Sequence, residues 1–236
     1  MTILALIDGH NYLYRALEAD NNISDCISDI SQIFLQADYG LVAFDLDVSK
    51  FRKRIDSRYK QNRKPVTSEF KAHLFSFELE LNRRKIPSLS RHGLEADDLI
   101  ASLAYLGFRK ECQVCIYSND TDFLQHLDKA SLYTSNGILT YQDVIEKYDI
   151  EPYRLPEIWA LSGDRSDNIF GIVSEKDAID LIKKYGTLGK VLSQSRYRKY
   201  TSKVLKNFVL IQHNSVAGLN INFEELSLRR FKEARQ

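Results

Sequence analysis

Ile3-Leu4-Ala5-Leu6-Ile7-Asp8 opens the chain with five apolar residues and then an aspartate, and the same figure returns twice. Leu41-Val42-Ala43-Phe44 runs into Asp45, and Val114-Cys115-Ile116-Tyr117 runs into Ser118-Asn119-Asp120. Short apolar runs of this kind read as strands buried on both faces. Helical periodicity over Ile23–Gln36 and over residues 99–108 separates them. The order β-α-β-α-β predicts an α/β fold, a mostly parallel central sheet flanked by helices. Ligands of such sheets bind outside the carboxyl ends of the strands, so Asp8, Asp45 and Asp120 are expected along one edge.

Further along, residues 132–134 read as a fourth strand, and Asn136-Gly137 turns the chain into residues 138–141. The remainder has a helical pattern, entered past Pro152 and Pro156. A soft boundary is placed near residue 155, with a sheet domain over 1–155 and a helical region over 156–236. At 236 residues and 44% hydrophobic content the chain can bury a substantial core. No stretch approaches the ~20 apolar residues of a membrane span, and the first apolar run lacks the basic start of a signal peptide. The three cysteines, Cys26, Cys112 and Cys115, suit a reducing compartment. Cys112-x-x-Cys115 has no second Cys/His pair at ligand spacing, so core packing is favoured over zinc.

The formal net charge is only +1, but the charges are segregated. Residues 50–64 hold eight basic side chains against the single acid Asp56, and residues 183–206 hold eight more with no acid. Charge runs are usually solvated faces; two dense blocks of one sign instead point to a polyanion such as nucleic acid.

The acids are grouped as well. Beyond the strand ends lie Glu95-Ala96-Asp97-Asp98, Asp120-Thr121-Asp122 and Asp164-Arg165-Ser166-Asp167, which brings the set to nine carboxylates. Acids at a helix start have a structural reading through the helix dipole, and that covers Glu95 and Asp98. It does not cover three aspartates ending separate strands. Crowded carboxylates need a cation, and oxygen ligands without histidine or thiolate select magnesium or manganese. Two such ions suit phosphodiester hydrolysis, although strand-end aspartates also serve phosphatases and sugar-nucleotide enzymes.

Six ordered motifs resemble the 5′-nuclease or flap endonuclease family, which includes the 5′-exonuclease domain of bacterial DNA polymerase I and phage relatives. They are Leu6-Ile7-Asp8-Gly9-His10-Asn11, Phe44-Asp45, Tyr59-Lys60-Gln61-Asn62-Arg63, Gly93-Leu94-Glu95-Ala96-Asp97-Asp98, Ser118-Asn119-Asp120-Thr121-Asp122 and Leu161-Ser162-Gly163-Asp164-Arg165-Ser166-Asp167-Asn168-Ile169. The resemblance implies that Asp8, Asp45, Glu95 and Asp97, with Asp98 close by, surround one Mg2+ or Mn2+ ion. It places Asp120, Asp122, Asp164 and Asp167 around a second, with Asp120 between them. It also implies that Lys60 and Arg63 reach the scissile phosphate from the base of a helical arch over residues 60–90. Tyr59 beside them is placed to stack on a base, although an aromatic there is as often simple packing. Lys64, Lys176, Lys183, Lys184, Lys190, Arg196, Arg198 and Lys199 are expected to grip DNA, the later ones from the helical C-terminal region.

The activity implied is structure-specific cleavage of DNA near 5′ ends, flaps, nicks or junctions, with RNA primer/DNA hybrids as further substrates, by a cytoplasmic monomer of a bacterium or phage-infected cell. The rival readings are a non-catalytic DNA-binding protein and a PIN-type ribonuclease. The sequence departs from the family where relatives carry a glycine-rich hairpin. Here it reads Gly171-Ile172-Val173-Ser174-Glu175-Lys176, two residues shorter and two glycines poorer. A specific K+ site is therefore not expected, because converging carbonyls need the backbone freedom of glycine.

Overall fold

The computed structural model describes residues 1–213 and 221–235. Its centre is a sheet of β1 (Ile3–Asp8), β2 (Tyr39–Phe44), β3 (Ser88–Ser90), β4 (Gln113–Tyr117), β5 (Ser131–Thr134) and β6 (Gly137–Leu139). The strand order is β3-β2-β1-β4-β5-β6, and every pairing is parallel except the β5–β6 hairpin. The chain leaves the central β1 in one direction through β2 and β3 and in the other through β4, so the reversal point lies between β1 and β4. That crevice is where a parallel sheet of this kind binds its ligands.

Period-two alternation divides each strand between two helical layers. Leu4 and Leu6 face one way, with Leu41, Ala43, Val114 and Ile116, against Leu99, Ile100 and Leu103 of a helix here called α5 (Ala96–Arg109). Ala5, Ile7, Val42 and Phe44 face the other way, toward α1 (Gly9–Glu18), α2 (Ile23–Gln36) and α4 (Ser68–Arg83). The short α3 (Lys50–Ile55) precedes α4. Gly9 allows α1 to turn straight off β1, because a Cβ there would meet the Phe44 ring at 2.3 Å.

Residues 60–90, expected to form an arch, divide into an exposed stretch and a packed helix. The α4 helix buries Phe77 and Leu81 in the core beside Phe44, and the uninterrupted exposed stretch is residues 61–69.

After α6 (Tyr141–Tyr148) come α7 (Leu155–Ser162), a small hairpin of β7 (Gly163–Asp164) and β8 (Ile169–Phe170), and α8 (Glu175–Tyr185). Then follow α9 (Leu188–Ser193), α10 (Ser195–Arg198) and α11 (Thr201–Ile211). Leu161, Ile182, Val191 and Val204 join the same core cluster as Leu4 and Leu6. The boundary near residue 155 therefore marks a change of architecture without a second core.

The end of the chain returns to the sheet. Leu228 N donates to Asp38 O at 3.0 Å, Ser227 bridges to Tyr39, and Leu228 and Phe231 are buried with Phe34. Residues 221–235, with α12 (Arg229–Glu233), are thus part of the sheet body; residues 214–220 and 236 of the expected helical region lie outside the described residues. No helix among the described residues is long and apolar enough to cross a membrane. Cys115 is buried in β4, as packing predicted.

Candidate active site

Asp8 ends β1 and caps α1, accepting from Asn11 N at 3.1 Å and from Ser118 Oγ at 2.9 Å. Burial pushes its carboxyl up to about 7, and the charges of Asp45 and Asp120 add to the rise against those two hydrogen bonds. Asp45 follows β2 and accepts from Ala96 N at 2.6 Å, which ties it to the start of α5. Asp97, in the first turn of α5, is raised well above the usual carboxylate range by burial and then by Asp120, Asp45 and Asp8. Four carboxylates from three strand ends and one helix start thus feel one another directly.

A second set is built on the other side of Asp120. This residue caps the 3-10 turn Thr121–His126 by accepting from Asp122 N at 2.9 Å. Burial raises Asp122 to about 8, assisted by Asp120, Asp164 and Asp167. Asp164 is held at the hairpin by Ser166 N and Ser166 Oγ, at 2.8 and 2.7 Å. Asp167 is raised by burial, opposed by Lys60 and Arg63, with Asp164 raising it further. Asp120 raises Asp8 and Asp97 on one side and Asp122 on the other.

Lys60 and Arg63 lie beside these acids. Lys60 Nζ sits 2.9 Å from Glu95 Oε2 and 3.8 Å from Asp167 Oδ2, and Arg63 is paired with Asp167. Lys60 has a left-handed backbone, φ 54°, uncommon for a residue with a side chain. Three hydrogen bonds impose it by knitting its loop to the β7–β8 hairpin: Lys60 N to Asp167 O at 3.0 Å, Asn62 Nδ2 to Arg165 O at 2.8 Å and Asn168 Nδ2 to Arg58 O at 2.9 Å. The loop that carries the cations and the hairpin that carries two acids therefore move as one piece.

Two expectations need correction. Tyr59 is only 3% exposed, packs against Ile169 and Leu210, and donates its hydroxyl to Glu95 Oε2 at 3.0 Å, so it has no face for a base. Asp98, expected near the first ion, is 1% exposed and accepts from Arg52 Nη2 on Oδ1 and from Nη1 on Oδ2, at 2.7 and 2.8 Å. Its partner Arg52 is buried too, although it lies in a basic block that the sequence marked as surface. Nothing in the sequence separates it from its exposed neighbours Lys50 and Arg54. His10 and Ser118 were also missed: His10 Nδ1 accepts from Asp45 N at 3.3 Å, and Ser118 Oγ bridges Asp8 and Asp120 N. Lys64, Lys176, Lys183, Lys184, Lys190, Arg196, Arg198 and Lys199 are all exposed, and Lys183 is paired with Asp149 at 3.2 Å.

The donor set fits hard cations, being oxygen throughout. Among the described residues no three acidic, histidine or cysteine side chains already stand at the spacing of a formed metal site. Glu95 and Asp167 are taken up by lysine and arginine, and Asp8 and Asp45 accept backbone N–H groups. Ion binding has to draw the carboxylates inward.

The N-terminal resolvase-like domain of 5′-3′ exonucleases matches residues 3–149, well over half of the chain. This chain belongs to the 5′-3′ exonuclease family. Within the family, the 5′-3′ exonuclease of Aquifex aeolicus is 28% identical over 98% of this chain and 88% of its own length. That of Buchnera aphidicola subsp. Baizongia pistaciae is 32% identical over 79% of this chain and 68% of its own length. The thermostable DNA polymerase I of Thermus filiformis is 32% identical over 79% of this chain but only 24% of the polymerase. Among solved structures, bacteriophage T5 flap endonuclease with DNA and metal ions is 21% identical, with a TM-score of 0.79 and 99% of each chain covered. A second structure of that phage protein, with metal ions, gives a TM-score of 0.78. At that identity the likeness establishes the nuclease fold.

Proposed function

We propose that this family member is a magnesium- or manganese-dependent 5′ nuclease that hydrolyses DNA at 5′ ends, flaps or nicks. The observation that carries the reading is the pair of neighbouring carboxylate sets that meet at Asp120, at the reversal point of a parallel sheet, with Lys60 and Arg63 against them. Asp8, Asp45, Glu95 and Asp97 would hold one ion, and Asp120, Asp122, Asp164 and Asp167 the second. When bound, the two ions supply an activated water and charge compensation at the phosphate.

Lys60, held at 2.9 Å from Glu95 Oε2, would supply a point charge to the phosphate. Arg63 offers a planar fork for two phosphate oxygens. The knitted loop and hairpin keep both cations in register with Asp164 and Asp167. The exposed cations of α8, α9 and α10 give the duplex a sequence-independent grip. Support comes from the family membership and from the phage neighbour, which was crystallised with DNA and metal ions. End-labelled 5′-flap, nicked, blunt and single-stranded RNA substrates, incubated with Mg2+ or with Mn2+, test it. The reading requires cleavage of a DNA substrate near its 5′ end, and preferential cleavage of the RNA would replace it by a ribonuclease reading.

A further inference from the structure

Arg52 is buried to 1% exposure, and every N–H of its guanidinium is used. Nη1 donates to Glu95 Oε2 at 3.1 Å and Asp98 Oδ2 at 2.8 Å; Nη2 donates to Asp98 Oδ1 at 2.7 Å and Gln212 O at 3.2 Å; Nε donates to Leu210 O at 2.9 Å. The last two acceptors are carbonyls at the C-terminal end of α11, which have no partner within the helix and carry the negative end of its dipole. One cation thus joins the start of α5 to the end of α11. The other turns of α11 grip the acid-bearing hairpin. Asn207 Nδ2 donates to Ala160 O and Phe170 O at 3.0 and 3.1 Å, and Lys203 Nζ donates to Gly171 O at 3.0 Å. Just past the helix, His213 N donates to Gln125 Oε1, whose amide donates to Asp122 O.

We infer that Arg52 is a positioning residue, which makes α11 the strut that sets the spacing between the two carboxylate sets. The helix bears no acid of its own, yet it is bonded to the segments carrying Glu95, Asp122 and Asp164. Arg52 is the link to the first set and orients Glu95 through Oε2. This rests on the reading of Glu95 and its partners as ion ligands.

The test uses Arg52→Lys, which keeps the charge without the fork. It also uses the paired change Arg52→Met with Asp98→Leu, which replaces a buried ion pair by apolar side chains and is tolerated in many folds. Mn2+ binding is followed by calorimetry on the full chain, together with kcat and KM on flap DNA and DNA affinity in Ca2+. Wild type is expected to bind two ions. Both variants are expected to melt cooperatively and keep their DNA affinity, while Mn2+ affinity or kcat falls about 10- to 100-fold with KM little changed. If wild type binds no Mn2+, the proposed function itself fails. If wild type binds two ions and the variants match it in Mn2+ affinity and kcat, or change only in KM, the positioning role alone is overturned. Failure of both variants to fold assigns Arg52 to the fold and overturns the role as well.

Discussion

Replacing Asp8 by asparagine is expected to stabilise the ion-free protein while abolishing its cleavage activity. Asp8 is 7% exposed, and its carboxyl is carried from 3.8 to about 7 by burial and by Asp45 and Asp120. Between those values the folded state holds a proton that the unfolded chain has lost, so stability falls as pH rises through this range. Above pH 7 the accumulated cost of ionised Asp8 is on the order of 4 kcal/mol. Asparagine removes that charge, keeps an oxygen to accept from Asn11 N, and can donate to Ser118 in place of accepting from it. Allowing for imperfect hydrogen bonds, we expect a gain of about 1–3 kcal/mol at pH 8.5. For a chain of this size that is roughly 3–10 °C in melting temperature. The gain is expected to vanish by pH 5, where most of that cost has not yet accumulated and the imperfect hydrogen bonds of asparagine offset the rest. Urea unfolding of both proteins in EDTA at pH 5, 7 and 8.5 measures it. A variant less stable than wild type at pH 8.5, or one whose advantage is the same at pH 5, would refute the electrostatic account of the site.

Asp120→Asn should reduce cleavage to near background with DNA binding intact, because Asp120 acts on both carboxylate sets; wild-type turnover at saturating magnesium withdraws the ligand assignment. Lys60→Ala should lower the single-turnover rate far more than DNA affinity, and the reverse pattern would make Lys60 an ordinary phosphate contact. Tyr59→Phe should cost about 1 kcal/mol of stability through the lost bond to Glu95, without altering DNA affinity; an unchanged stability would refute the buried hydroxyl bond. DNA binding in Ca2+ should differ little between K+ and a bulky organic cation at equal ionic strength, since Lys203 already donates to Gly171 O. A large gain specific to K+ would mean that the shortened hairpin still forms an ion site.

The sheet was legible because its strands are short apolar runs that end in aspartate, and helix α2 was legible to the residue because Asn22 and Asp25 form a capping box ahead of a clean apolar stripe. Strand β3 was not, since Ser88-Leu89-Ser90 is three residues with no apolar run and exists only by pairing with β2. The acids of the site could be read as a set because carboxylates at the ends of separate strands have no cheap structural explanation. Charge sign could not tell a solvated arginine from a buried one: Arg52 and Arg54 lie two apart on one helix, and Glu95, Asp98 and the carbonyls at the end of α11, all distant in sequence, draw one of them inward. Tyr59 was ambiguous for the same reason, because an aromatic in a basic loop can face a base or the core. The return of residues 221–235 to β2 had no local signal either, being decided by Leu228 and Phe231 filling the space beside Phe34.

The central claim, that paired carboxylate sets and Lys60 cut DNA near a 5′ end with divalent ions, is tested most directly by one gel. A 5′-flap substrate labelled at its 5′ end is incubated with wild type and Asp120→Asn, each in Mg2+ and in excess EDTA. The account predicts a short labelled product, released at or near the junction, for wild type in Mg2+ alone. Cleavage that persists in EDTA, or that survives in Asp120→Asn, would contradict it.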